Sequence, residues 1–457
     1  MTAPTLLLDV VPLLADPSGL DSGDTAWLLA ASALVLLMAP GLALFYGGMV
    51  RSKSVLNMIM MTFGSLAVIS IVWVLVGYSL AFGDDVGLGL LGDPTQYAGL
   101  SQLMSEASNG ESSVPLILFA VFQGLFCVIT GALVSGAIAD RARFGAWMVF
   151  VSVWTVVVYA PVAHWIFDFS AGDHVGGWMA NELGVIDFAG GTAVEITSGA
   201  SGLALALVLG RRIGFGKDPM RPHNLTLVML GAGLLWFGWF GFNAGSALGA
   251  GQTAAVVFTT TLLAGAAGSL GWLAVERLRD GHATSLGAAS GLVSGLVAIT
   301  PSCASLSPVG SIVMGAVAGG VCALAVGLKY RFGYDDSLDV VGVHLVGGLV
   351  GTFGIGLLAT AGAPTGVDGL LHGGGADQLG RQLLGGGAVL VYAFVMSGII
   401  GLVVDKVLGF RIDEEHELSG IDLVVHAETA YDLHATAGAR SGSGVLGGST
   451  APREEER

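Results

Sequence analysis

Residues 184–202 read GVIDFAGGTAVEITSGASG, an apolar and small-residue run that carries two carboxylates, Asp187 and Glu195. Asp187 stands where an apolar helix would begin, and its side chain can accept from the free N–H groups of a first turn. Glu195 follows eight residues later. That is about 12 Å along a helix, close to the midplane of a hydrocarbon core of about 30 Å. An ionisable side chain at such depth marks a functional site. Residues 336–344, DSLDVVGVH, repeat the spacing, with Asp336 at an expected helix start and His344 eight residues on. Two matched segments point to an internal structural repeat.

The composition places these stretches in a membrane. Hydrophobic residues make up 53% of the 457-residue chain and charged residues only 11%, with a mean hydropathy of +0.78. These values exclude an ordinary soluble domain and predict an all-α membrane protein. The 73 glycines fall largely inside apolar runs, where small residues let helices approach closely. Cys127, Cys303 and Cys322 lack metal-ligand spacing and read as small core residues. No metal or cofactor is expected. The net charge of -16 comes from acidic loops and tail, and no basic patch suited to nucleic acid is present.

Apolar windows of about 19 residues predict eleven transmembrane helices. They lie near 25–49, 55–82, 114–138, 144–167, 188–210, 224–247, 253–277, 285–302, 307–331, 337–360 and 382–408. Alternate connections hold seventeen of the eighteen basic residues, Arg381 being the exception. The positive-inside rule makes that side cytoplasmic. The expected layout is an outside N-terminal segment (1–24), a transmembrane domain (25–409) and an inside C-terminal tail (410–457). After about 435 the tail is Gly/Ser-rich, a composition expected to be disordered. The Asp187 segment then enters from outside and the Asp336 segment from inside. Spans one to five and six to ten form two halves of inverted topology, with one extra helix, and Glu195 and His344 approach each other at the centre. The outer loops carry Asp84, Asp85, Asp168 and Asp173 among other acids. These either concentrate cations modestly or form a solvated surface.

A buried imidazole can relay a proton or accept a hydrogen bond from a small N–H solute, and a carboxylate beside it would fix its tautomer. The plainer reading of the pair is a helix–helix hydrogen bond. Phe122 and Phe126 lie one turn apart on span three, and span six supplies Trp236, Trp239, Phe242 and Ser246. Aromatic faces attract cations, although such segments in membranes more often serve packing. No nucleophile–base pair suggests an enzyme.

DFAGGTAVE, FGWFGFNAGS, FQGLFCVIT, VAITPSCA and DDSLDVVGVHLVGG together resemble the Amt/Mep/Rh family of ammonium transporters, from about Trp27 to about Leu433 and in the family's order. The resemblance implies a homotrimer in the cell membrane with one pore per subunit, each conducting ammonium or ammonia. Phe126 and Phe242 match the stacked phenyl gate, Ser246 the serine of the outer ammonium site, and His344 the second histidine of the midpore pair. Asp187 matches the aspartate that supports the outer site, while Asn243 and Thr300 match residues beside the pore. The tail stretch GIDLVVHAETAY implies a PII-type regulatory partner at the inner face.

Two positions depart from the family. Glu195 stands where most bacterial members have the first pore histidine; some fungal members carry an acidic residue there. Phe167 stands where the outer-site tryptophan is expected, three residues after the histidine of PVAH, and Trp165 or Trp178 is a candidate substitute. The remaining histidines receive no role, and His164 either flanks the outer vestibule or is structural. Besides an ammonium transporter, the alternatives are an ammonium receptor with little flux, disfavoured by the lack of an appended signalling domain, and an Rh-like neutral gas channel.

Overall fold

The computed structural model describes residues 19–105 and 112–431. The Gly/Ser-rich end expected to be disordered after about 435 lies outside the described residues, as do residues 1–18 of the expected outer N-terminal segment.

Among the described residues the chain is helical, with isolated bridges but no strand. Among the described residues ten helices have the length and composition to cross a membrane: α1 (Ser22–Met49), α2 (Val55–Phe82), α3 (Leu116–Ile138), α4 (Phe144–Phe167), α5 (Gly191–Leu209), α6 (Leu225–Gly245), α7 (Gln252–Asp280), α9 (Pro308–Phe332), α10 (Val341–Leu358) and α11 (Asp377–Leu408). The shorter apolar α8 (Ser285–Ile299) stands between α7 and α9. Each expected span overlaps one of these helices, with ends displaced by a few residues. The eighth stops three residues before the expected 302, and residues 301–305 form turns after it.

Side chains cap several starts. Asp21 accepts from Asp24 N at α1, Asn224 from Leu227 N at α6, Thr284 from Gly287 N at α8 and Ser307 from Gly310 N at α9. Each such cap satisfies an otherwise unpaired N–H. The helices keep large apolar side chains on their outer surface, including Leu75, Leu270, Val309 and Val391. An apolar exterior of this kind suits a lipid environment, and small residues carry the contacts between helices.

The basic ends gather on one face and are pinned there. Arg212 pairs with Asp335 at 2.8 Å and Asp140 at 3.0 Å, and Arg51 reaches the same Asp140 at 3.3 Å. A short tail helix, α12 (Glu414–Ser419), returns to this face. Glu417 accepts from Ile213 N and from Arg411, while Asp422 accepts from Leu56 N and Asn57 N at the start of α2. Arg381 lies at the opposite end of the bundle, beside Gly184.

Candidate functional site

Asp187 organises the approach to α5. Its Oδ1 accepts from Gly190 N and Gly191 N, and its Oδ2 from Thr192 N and Ala193 N, at 2.7–3.0 Å. At the other end of the bundle Asp336 accepts from Val340 N (3.1 Å) and Val341 N (2.7 Å) at the start of α10. Both helices open with a wide i→i+5 turn, Gly191–Ile196 and Val341–Leu345. Glu195 and His344 lie inside those two turns. Turns of this kind also interrupt α2 (Trp73–Gly77) and α4 (Thr155–Tyr159), so the ionisable side chains inside the two turns, and not the turns alone, mark the site.

The pair meets. Glu195 Oε2 lies 2.6 Å from His344 Nδ1, and both side chains are buried. Glycines four residues beyond each partner allow the approach. A Cβ on Gly348 would stand 2.9 Å from Glu195 Cβ, and one on Gly199 would collide with the Leu345 backbone. No other residue fits at such a crossing without displacing a helix.

Around the pair is a narrow lumen of about 10 Å³, lined by residues of α1, α3, α5, α6, α8 and α10. These are the first, third and fifth helices of α1–α5 and of α6–α10. Space of this size holds about one water-sized molecule. Leu42, Ile129, Leu133, Leu235 and Val293 make its wall apolar, and Glu195 and His344 supply its ionisable groups.

A larger cavity of about 300 Å³ lies beyond Phe126, lined by Phe126, Phe167, Ser246, Asp187, Phe119, Gln123, Phe169 and Phe188 among others. Phe126 and Phe242 stack with centroids 4.2 Å apart and planes 24° from parallel. Phe126 lines the cavity and Phe242 lines the lumen, so the stack stands between them. The Ser246 hydroxyl donates to Phe242 O at 2.8 Å, which leaves its oxygen able to accept from a cation's N–H.

The remaining expected residues support the walls. Trp239 Nε1 donates to Thr300 Oγ1 (2.8 Å), and Asn243 Nδ2 donates to Thr261 Oγ1 (3.0 Å). Trp165 donates instead to Leu90 O at 2.8 Å and packs on Tyr392. Neither it nor Trp178 lines the cavity that Phe167 lines. Sequence patterning does not single out Phe119, Gln123, Phe169 or Phe188 as lining residues. Of these, Gln123 carries a signal, being a polar side chain inside an apolar span three residues before Phe126, a spacing that puts both on one helix face. Among the described residues no cluster of His, Cys, Asp and Glu is arranged to hold a metal ion.

The model of the Ammonium Transporter Family matches residues 26–431. The chain belongs to that family. An ammonium transporter of Mycobacterium tuberculosis is 54% identical, over 94% of each chain. In the solved structure of Saccharomyces cerevisiae Mep2 the similarity is 36% identity with a TM-score of 0.79, covering 87% of this chain and 89% of that one. A structure described as a sensor Amt protein is 27% identical with a TM-score of 0.81, covering 88% and 98%. Membership makes the chain a membrane transport protein and not an enzyme.

Proposed function

We propose that this family member carries ammonium into the cell through the path that runs from the 300 Å³ cavity, past the phenyl stack, to the Glu195–His344 pair. The observation that carries the reading is the order of these features along one line, each with the chemistry its step needs. Ammonium is held among Phe126, Phe167 and the Ser246 oxygen, by aromatic faces and an acceptor. Asp187 holds this end of α5 in place. Ammonium releases a proton on leaving the cavity, because a bare cation in an apolar lumen is very costly. Ammonia crosses between Phe126 and Phe242 and meets His344, and the Glu195–His344 pair offers the proton a separate route.

The same reading takes α8 as the eleventh span and the two sets of five helices as inverted repeats, which the lumen's first–third–fifth lining supports. The basic face is cytoplasmic by the positive-inside rule, which puts the N-terminus outside the cell membrane. The assembly is a homotrimer, and the basic face with its docked tail receives a PII-type regulator.

Currents and uptake from proteoliposomes given an ammonium pulse test the proposal. Ammonium-dependent uptake with charge movement is expected. Uptake without current would make the chain a neutral gas channel. The likeness to the sensor protein favours one second reading, an ammonium receptor, and binding without flux would establish it.

A further inference from the structure

On the face opposite the basic one, carboxylates and imidazoles alternate in a row that joins two loops. Asp84, after α2, places Oδ1 2.5 Å from His174 Nδ1, and the ring's Nε2 lies 2.9 Å from Asp168 Oδ1. Asp168 Oδ2 stands 3.2 Å from His164 Nδ1, and His164 Nε2 stands 3.4 Å from Asp85 Oδ1. Asp168 directly follows α4 and is buried, and its Oδ2 accepts no hydrogen bond among the described residues. His174 is 24% exposed by side chain, so protons reach it from solvent.

Ionised carboxylates only accept, and a neutral imidazole has a single N–H. With a carboxylate oxygen at each ring nitrogen, His174 satisfies both contacts only as the imidazolium. Losing one proton turns one contact into two facing lone pairs. The row also borders the substrate path. A cavity of about 620 Å³ is lined by Asp84, Asp168 and His174, and it shares Phe119, Phe167 and Phe169 with the cavity at Ser246. Phe167 and Phe169 flank Asp168 in sequence, so whatever holds Asp168 holds two aromatic walls of the entrance.

We propose that His174 is a positioning residue, a proton-operated clamp that fixes the Phe167–Phe169 wall of the entrance cavity; this role rests on the transport reading above. The groups that face the ring are Asp84 from the loop after α2, Asp168 and beyond it His164 from the end of α4, and Asp173 from its own loop. Tyr78 and Tyr97 line the same cavity, and among the described residues no Lys or Arg does. Burial lowers the His174 pKa, but Asp168 and Asp84 outweigh it and the net shift is upward. The clamp is therefore complete below the ordinary histidine value of about 6.5 and opens as pH rises through the higher value His174 has in place.

Opening has two opposed effects. It makes the mouth one charge more negative, which attracts cations, but salt screens that charge over about 8 Å. It also frees the aromatic wall, which weakens a cation–π site that depends on close ring placement. The second effect acts at contact distance and prevails.

The test uses the full chain and two variants, His174→Gln and Asp84→Asn. His174→Gln has its two N–H donors on a single nitrogen, which cannot span carboxylate oxygens held at opposite ring nitrogens, and so leaves the clamp open at every pH. Asp84→Asn supplies an amide that donates to the unprotonated Nδ1 while Nε2–H still donates to Asp168, so the clamp closes around a neutral ring. Hydrogen exchange of residues 168–178, corrected for intrinsic rates, and the KM for ammonium uptake are followed from about pH 5.5 to 8.5. In the wild type, protection should fall and KM rise about threefold with pH, with the maximal rate unchanged. His174→Gln should stay unprotected with the high KM, and Asp84→Asn protected with the low one. Identical exchange profiles in all three proteins would overturn the clamp, as would protection that changes without KM. Absence of uptake in all three would instead refute the transport reading, and the exchange data would still decide whether the clamp exists.

Discussion

The Asp187 carboxylate accepts from four successive N–H groups at the start of α5, whereas Asp336 accepts from two at the start of α10. The two carboxylates hold the helix starts that carry Glu195 and His344. Their surroundings differ. Asp187 has backbone donors alone on its oxygens, while the Asp336 region also has Lys329, whose Nζ donates to Asp336 O and Asp339 Oδ1.

Asp187→Asn should therefore be the more damaging of two matched substitutions. An amide nitrogen cannot accept, so one pair of N–H groups loses its partner, at about 3 kcal/mol for two charge-assisted bonds. Asp336→Asn removes one such bond and should cost about half as much. Melting temperatures of the purified variants in detergent give the comparison. A lower value for Asp336→Asn would show that the count of backbone donors does not set the stability of these helix starts.

At the stack, Phe242→Leu should change uptake strongly while costing about 1 kcal/mol of stability from lost ring contact. Phe240→Leu is the control, because Phe240 stacks on Phe258 at 4.0 Å and does not line the lumen. Equal effects of the two on uptake would deny the Phe126–Phe242 stack any gating role.

On the basic face, burial would raise the Asp335 carboxyl, but Arg212's hydrogen bonds and charge hold it below its usual range. This contribution to stability is present above the ordinary aspartate value of about 3.9 and is lost as pH falls through the lower value in the folded chain. Arg212→Met strands buried carboxylates and should cost about 3 kcal/mol at neutral pH. In acid those carboxylates protonate and the gap to wild type narrows. A gap that stays constant from pH 7 to pH 3 would mean the ion pair is not its source.

Among the contacts that dock the tail, the Asp422 carboxylate takes two backbone N–H groups, Leu56 N (3.0 Å) and Asn57 N (2.8 Å), beside His426 on Asn57 and Tyr431 on His223. Asp422→Ala should release it, giving faster proteolysis within residues 414–431. Truncation after Asp413 should alter uptake or its control by nitrogen supply. Unchanged proteolysis in Asp422→Ala would show that other contacts hold the tail.

Much of this is legible in the chain itself for identifiable reasons. A carboxylate before an apolar run and an ionisable group inside it are rare enough to stand out, which is why Asp187, Glu195, Asp336 and His344 can be named and paired. One-sided Arg and Lys placement anticipates the face where Arg212, Asp140 and Asp335 meet. The widened turns that hold Glu195 and His344 leave no mark in composition. Phe119, Phe169 and Phe188 look like any packing aromatic until a cavity separates them from the rest. His174 escapes a reading of the sequence because Asp84 is ninety residues away and only the fold brings the two together.

The Glu195–His344 contact leads to the last prediction, because these two residues supply the ionisable groups of the lumen. The Glu195 carboxylate and the His344 imidazole, with Oε2 and Nδ1 2.6 Å apart, form one hydrogen-bonded unit. A lumen holding that unit tolerates positive charge better than one holding two neutral rings. Glu195→Gln keeps the size and removes the charge. It should change the pH dependence of uptake and reduce any associated current. Glu195→His should keep transport and move the profile toward that of a two-histidine lumen. His344→Ala should be the most damaging, since it leaves a buried carboxylate unpaired at a cost of about 3–5 kcal/mol. Uptake and current measured from about pH 5 to 8 in all three variants provide the comparison. Superimposable profiles for wild type and Glu195→Gln would mean that the carboxylate serves only to join α5 to α10.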